Sequence, residues 1–222
     1  MEFNLKRIDP LKKQAERGET PHAGLSPMDP PDAFAPPNMA PVPPGEMHPH
    51  LREFVEDHVA IVEQLDAFEN VLAAIRKDGY TKEADGRLKE FFRFFEEKII
   101  PHSRREETTV FRVLRERLIA AGEHGVGDDP ATAIDVMEDE HRKATQLAAV
   151  IVNFIGLALR FPEEGTRLVI LDAALEQSRH LIELLRLHSF REDNIIFAQA
   201  HRLIADEAFD RMQAGQRGAH VL

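Results

Sequence analysis

Four stretches of this chain carry apolar residues at helical spacing, and each sets a histidine into its apolar stripe. The first stripe is Leu51, Phe54, Val55, Ile61, Val62, Leu65, Phe68 and Leu72, and it holds His58. The second runs through Leu88, Phe91, Phe92, Phe95, Ile99, Val110, Phe111, Val113 and Leu114 and holds His102. The third, Ile134, Met137, Ala144, Ala148, Ile151 and Ile155, holds His141. The fourth, Leu168, Leu171, Leu175, Ile182, Leu185, Ile195 and Ile196, holds His188. Apolar residues three or four apart form the face that a helix buries. The spacing predicts helices over roughly 47–77 and 82–121, a third opening at Asp129-Pro130, and a fourth from near Pro162 to about Met212. Asp78-Gly79 and the segment from Gly122 to Gly127 separate them, and Gly215 and Gly218 mark a loose end. No segment reads as a strand. Four long helices with short connections imply an all-α fold, an up-down-up-down antiparallel four-helix bundle.

Outside the stripes the character changes. Most of the chain's 14 prolines fall between Pro21 and Pro44. Proline lacks an amide donor and restricts its predecessor, so residues 1–46 are expected to be a disordered proline-rich arm. Its first residues interleave Lys6, Arg7, Lys12, Lys13 and Arg17 with Leu5, Ile8 and Leu11, which makes the arm a candidate contact for a protein partner. Residues 47–200 form the expected bundle, and 201–222 a helical extension ending in a loose tail. Pro101 sits inside the second helix directly before His102. Interior proline costs about 3 kcal/mol, so a kink beside a site, or a break into two helices, is expected there.

Composition narrows the function. There is no cysteine, which excludes disulfides, thiolate metal sites and thiol catalysis. A net charge of −11 argues against nucleic-acid binding, which needs a basic face. No run approaches the roughly 18 apolar residues of a membrane span. A cytoplasmic address is the default expectation. Homodimerisation is left open, and no catalytic residue is assigned.

One phrase is written twice. His102-Ser103-Arg104-Arg105-Glu106 recurs as His188-Ser189-Phe190-Arg191-Glu192. A carboxylate four residues after a histidine lies on the same helical face, one turn on. One such pair is near what composition alone delivers, and another, His124 with Asp128, falls in a loop. The weight comes from context: Glu106 and Glu192 share core stripes with four histidines. A buried carboxylate is costly unless it is paired, and metal ions take ionised carboxylates and neutral imidazoles as ligands. Four nitrogens and two oxygens without sulfur suit iron, manganese or zinc.

A lone His, a His-x-x-x-Glu, a second lone His and a second His-x-x-x-Glu on successive helices resemble the hemerythrin-like, HHE cation-binding family. The resemblance implies His58, His102, Glu106, His141, His188 and Glu192 as ligands of two iron ions (Fe2+/Fe3+), oxo- or hydroxo-bridged. It also implies a partner that is a small molecule: dioxygen, nitric oxide or peroxide, to be bound, sensed or turned over. Oxygen carriers of this family add a histidine one turn away on the third helix, where this chain has Met137 and Thr145. They also place an aspartate five residues after the last histidine. Asp193 stands there, so the last ligand is Glu192 by symmetry with Glu106, with Asp193 as its alternative. The six-ligand scheme resembles the iron-cluster-repair branch, which points to iron storage or donation as a second reading. That branch carries a cysteine-containing N-terminal domain, and this chain has no cysteine. A metal-free interaction module is the third reading. Arg105 and Arg191 are expected at the surface, Phe111 and Phe197 under the site, and His22, His48, His50, His124, His180, His201 and His220 outside it.

Overall fold

A computed structural model describes residues 41–125 and 131–219, with side chains through residue 215. Most of the expected arm, the Asp129-Pro130 pair, His22 and His220 lie outside the described residues. The described secondary structure is entirely helical. Helix α1, Pro49–Asp78, opens with proline at its first turn and stops at Gly79, whose φ of 81° only glycine adopts without strain. Helix α2 spans residues 82–121. Thr81 caps it by accepting the amide of Ala84 at 3.1 Å, and Gly122 ends it at φ 79°. Helix α3 is Ala133–Ala158. Helix α4 spans residues 164–203, and helix α5 is Asp206–Ala219. No described helix is long and apolar enough to cross a membrane.

Three boundaries depart from the sequence expectation, each for a local reason. The third helix begins at Ala133 rather than at Asp129-Pro130. Thr132 and Asp135 close a reciprocal cap there: the Thr132 hydroxyl accepts from the Ile134 amide at 3.2 Å, and the Asp135 carboxylate accepts from the Thr132 amide at 2.7 Å. The last helix does not run unbroken to Met212. Ile204 turns to φ −108° and ψ 127° with its side chain buried, and α5 starts after it with Asp206 and Glu207 in a first turn that favours negative charge. The helix then continues past Gly215. Finally, residues 41–47 are fixed to the body. Arg52 donates to the carbonyls of Pro44 and Met47 at 3.1 and 3.2 Å, Val42 packs on the core, and Met47 is buried.

Pro101 neither breaks nor stops α2. A π-helical turn, Phe95–Ile99, precedes it and carries the Ile100 amide back to the Phe95 carbonyl. The extra residue in that turn offsets the carbonyls that a proline ring would strike in a regular helix. Two more π turns occur, Glu107–Phe111 in α2 and Glu192–Ile196 in α4.

Helix α3 packs along α4, α1 packs against α2 and α4, and α2 also touches α3. The buried apolar side chains fall into two clusters. One holds Ile61, Leu65, Phe68, Phe91, Ile99, Ala144, Ile151 and Leu185. The other holds Leu51, Phe54, Val110, Phe111, Ile134, Met137, Ile196 and Phe197. Along each of α1 to α4 the switch from one cluster to the other happens at a histidine of the four stripes. The polar residues thus form a layer between two dry cores. Replacing Thr132 by alanine removes the α3 cap and is expected to cost about 1 kcal/mol, lowering the thermal midpoint by about 2–4 °C in a calorimetric scan.

Candidate metal centre

The structure brings together all six residues that the stripes and the repeat single out. His58, His102, Glu106 and Glu192 form one group, and Glu106, His141, His188 and Glu192 another; within each group the facing atoms lie within 4.8 Å of one another. All six are buried. Each shared carboxylate turns one oxygen to each group. Glu106 Oε1 lies 3.2 Å from His102 Nε2, and its Oε2 lies 3.5 Å from His141 Nε2. Glu192 Oε2 lies 3.1 Å from His58 Nε2, and its Oε1 lies 3.1 Å from His188 Nε2. The imidazoles meet in pairs, His58 Nε2 to His102 Nε2 at 3.0 Å and His141 Nε2 to His188 Nε2 at 2.9 Å.

The outer nitrogens decide what faces inward. His58 Nδ1 meets Asp193 at 2.7 Å, His102 Nδ1 meets Asp57 at 3.2 Å, His141 Nδ1 meets Glu107 at 2.8 Å, and His188 Nδ1 meets Glu140 at 3.0 Å. A carboxylate only accepts, so each Nδ1 donates, and a neutral ring then points its lone pair from Nε2 into the centre. Arg105 holds Asp57, and Arg191 holds Glu140. Phe197 stacks on His58 at 5.8 Å, Phe111 stacks on His141 at 5.8 Å, and Phe54 meets His102 edge-on at 5.6 Å. These rings wall off water on the side of the second cluster.

Four inward lone pairs therefore face four carboxylate oxygens. None of the oxygens of Glu106 or Glu192 has a hydrogen-bond partner among the described residues. A buried acceptor set without donors is costly, and a cation removes the cost. The residues fit a metal site: His58, His102, His141 and His188 would offer nitrogens, and Glu106 and Glu192 oxygens, to bound cations.

In the metal-free protein protons take the cation's part. Burial alone would depress the His188 imidazole, but the Glu192 carboxylate and the Glu140 hydrogen bond push it up to about 10. Burial is likewise outweighed at His102, where Glu106 and Asp57 raise the ring to about 9. His58 is raised well above its usual value against burial, by Asp193 and Glu192. Burial and mutual repulsion work to raise Glu106, yet His102 and His141 hold it below the usual carboxylate range; Glu192 is held well below it by His188 and His58.

Other sequence expectations fare unevenly. Phe111 and Phe197 lie under the site, as expected. Arg105 and Arg191 are not idle surface residues, since they grip the acids that orient His102 and His188. Asp193 sits on the outer nitrogen of His58, while Glu192 faces inward. Met137 is buried in the second cluster, and the exposed Thr145 bonds the His141 carbonyl at 3.1 Å, so neither reaches the centre. His50, set aside with the arm, is fully buried against Phe54 at 5.3 Å. His48 stacks on Phe209 at 5.0 Å, His124 bonds the Gly125 carbonyl, and His180 is exposed. The four orienting acids escaped the sequence reading although they leave a signal. Asp57 and Glu140 immediately precede the lone histidines, and Glu107 and Asp193 immediately follow the motif glutamates.

The raised histidines make the stability of the metal-free protein pH-dependent. A group whose folded pKa exceeds its unfolded value of about 6.5 stabilises fully below that value and loses the contribution as pH rises through the folded pKa. Thermal midpoints of the metal-free protein are expected to fall between about pH 7 and pH 10. The depressed Glu106 and Glu192 give the opposite limb, a loss of stability as pH drops below about 4.5. A midpoint that stays flat across the alkaline range in thermal melts would contradict the assignment of these protons.

The hemerythrin HHE cation-binding domain matches residues 50–200 of the chain. Neither a curated protein nor a solved structure matches it. The matched span covers all six buried residues and most of the sequence, and the chain belongs to the hemerythrin HHE cation-binding domain family.

Proposed function

We propose that this chain is a non-haem di-iron protein whose centre binds, senses or reacts with dioxygen, nitric oxide or peroxide. Its frame is an up-down-up-down antiparallel four-helix bundle over residues 47–200, with α5 added beyond it and the arm before it, in a cytoplasmic protein. One position is held by His58 and His102, the other by His141 and His188, and both share Glu106 and Glu192. The observation that carries this reading is the convergence of four imidazole Nε2 atoms on the four buried oxygens of Glu106 and Glu192, which have no donor but these rings. A donor set of imidazole and carboxylate without sulfur suits iron.

Bound there, a pair of ferrous ions supplies electrons and open coordination positions to a small ligand. The chain's own residues do the rest. Asp57, Glu107, Glu140 and Asp193 fix the imidazoles as Nδ1–H tautomers and hold them in place. Phe54, Phe111 and Phe197 exclude water from the side on which they stack. The absence of a side-chain ligand from Met137 or Thr145 leaves both positions with the same four-residue set, which favours reaction over the guarded reversible binding of an oxygen carrier.

The test is anaerobic addition of ferrous iron to the full chain, followed by air, nitric oxide or hydrogen peroxide. About two ions per chain and new near-ultraviolet absorption after exposure are expected. Iron that binds but stays spectrally silent and is easily chelated would favour storage or donation. No uptake would leave the metal-free module. Glu106→Ala removes a ligand common to both positions and is expected to lower the iron content further than His188→Ala, which touches one. Iron uptake is also expected to release protons and to weaken as pH falls, because the ions displace the protons held by His102 and His188.

A further inference from the structure

The two halves of the centre repeat each other, and they differ in the backbone that leads into the motif histidine. His102 in α2 corresponds to His188 in α4, and Glu106 to Glu192. In α4 the helix runs regularly through Leu187 into His188. In α2 the corresponding residue is Pro101, with one residue between it and the π turn Phe95–Ile99. A cavity of about 400 Å³ opens there between α1 and α2, lined by Asp57, Ala60, Ile61, Pro101, His102 and Arg105.

The same histidine is the least firmly held of the four. Its outer hydrogen bond is the longest, 3.2 Å against 2.7, 2.8 and 3.0 Å. Its orienting acid has the most exposed side chain: Asp57 is 45% exposed, whereas Asp193 is 32%, Glu107 37% and Glu140 9% exposed. An ion cannot pass between six buried ligands unless one of them moves aside. His102 combines the weakest hold, an irregular helix behind it and empty volume beside it. A cavity of similar volume adjoins His141 between α2 and α3, but that ring is held at 2.8 Å by Glu107 on an unbroken stretch of α3.

We propose that His102 is the gate ligand of the centre: it swings into the α1–α2 cavity, and a hydrated divalent cation enters and leaves past it, with Asp57 as the acid that meets the ion. This rests on the metal-centre reading above. The two positions are then unequal in exchange although their ligands match, and the ion held by His58 and His102 is the first to be lost.

Cobalt(II) loaded into the full-length protein serves as the probe, with release to excess chelator followed by its visible absorption. Wild type is expected to bind two cobalt ions and to release them in two phases. Ala60→Phe fills the cavity from an exposed position and is expected to slow the fast phase about tenfold while still binding two ions. Thr145→Phe, at the mouth of the cavity beside His141, is expected to leave both rates within about twofold. Release by Ala60→Phe at the wild-type rate, or equal slowing by Thr145→Phe, would overturn the gate and leave the metal centre standing. Failure of wild type to bind cobalt would remove both.

Discussion

Two carboxylates buried side by side set the terms for the rest of this structure. Glu106 and Glu192 are completely enclosed, and their mutual repulsion and loss of hydration both oppose ionisation. A helical protein tolerates such a pair only if positive charge is brought to it. The raised imidazoles of His58, His102 and His188 supply that charge as protons in the metal-free state, and imidazoles supply lone pairs when a cation takes over. Everything nearby serves this exchange. The orienting acids fix which ring nitrogen faces inward, the arginines neutralise two of those acids, and the aromatic rings keep solvent from competing. The two apolar clusters above and below confine the polar residues to a narrow layer.

The backbone bends to this requirement. A regular helix repeats every 3.6 residues, and a long one presents its stripe on a slowly drifting face. Three π turns, Phe95–Ile99, Glu107–Phe111 and Glu192–Ile196, each add a residue to a turn and so shift the stripe back. Two of them begin at or just after the shared glutamates. There they let the glutamate face inward while the next residue, Glu107 or Asp193, reaches the outer side of a histidine on another helix. The third absorbs Pro101. Irregular backbone is thus concentrated where consecutive side chains must serve opposite sides of one ring set.

Much of this was legible in the sequence, because burial writes itself into spacing. The four stripes named the helices, and the histidines that interrupt them named the polar layer. What was not legible depended on geometry that spacing does not encode. The π turns have no residue signature, so the fate of Pro101 could not be read. The start of α3 went to Thr132 because a reciprocal cap with Asp135 satisfies two amides, a stronger device than an acidic residue before a proline. Arg105 and Arg191 looked like surface charge because their partners, Asp57 and Glu140, lie about 50 residues away in sequence. The acids themselves sat in plain view beside the lone histidines and the motif glutamates, yet adjacency is misleading in a helix: Asp57 serves His102, not its neighbour His58.

That crossed arrangement has a consequence for how the centre forms. The acid next to each lone histidine orients the motif histidine of the adjacent helix, and the acid next to each motif glutamate orients a lone histidine elsewhere. Helix α2 therefore supplies one position with His102, both positions with Glu106, and the far position with the acid that orients His141. Helix α4 does the same in mirror order through His188, Glu192 and Asp193. Helices α1 and α3 each serve one side of the layer, through His58 with Asp57 and His141 with Glu140, so α2 and α4 are the helices that tie the two sides together. The two residue groups share both glutamates and exchange orienting acids, so a side chain altered in one group touches the other.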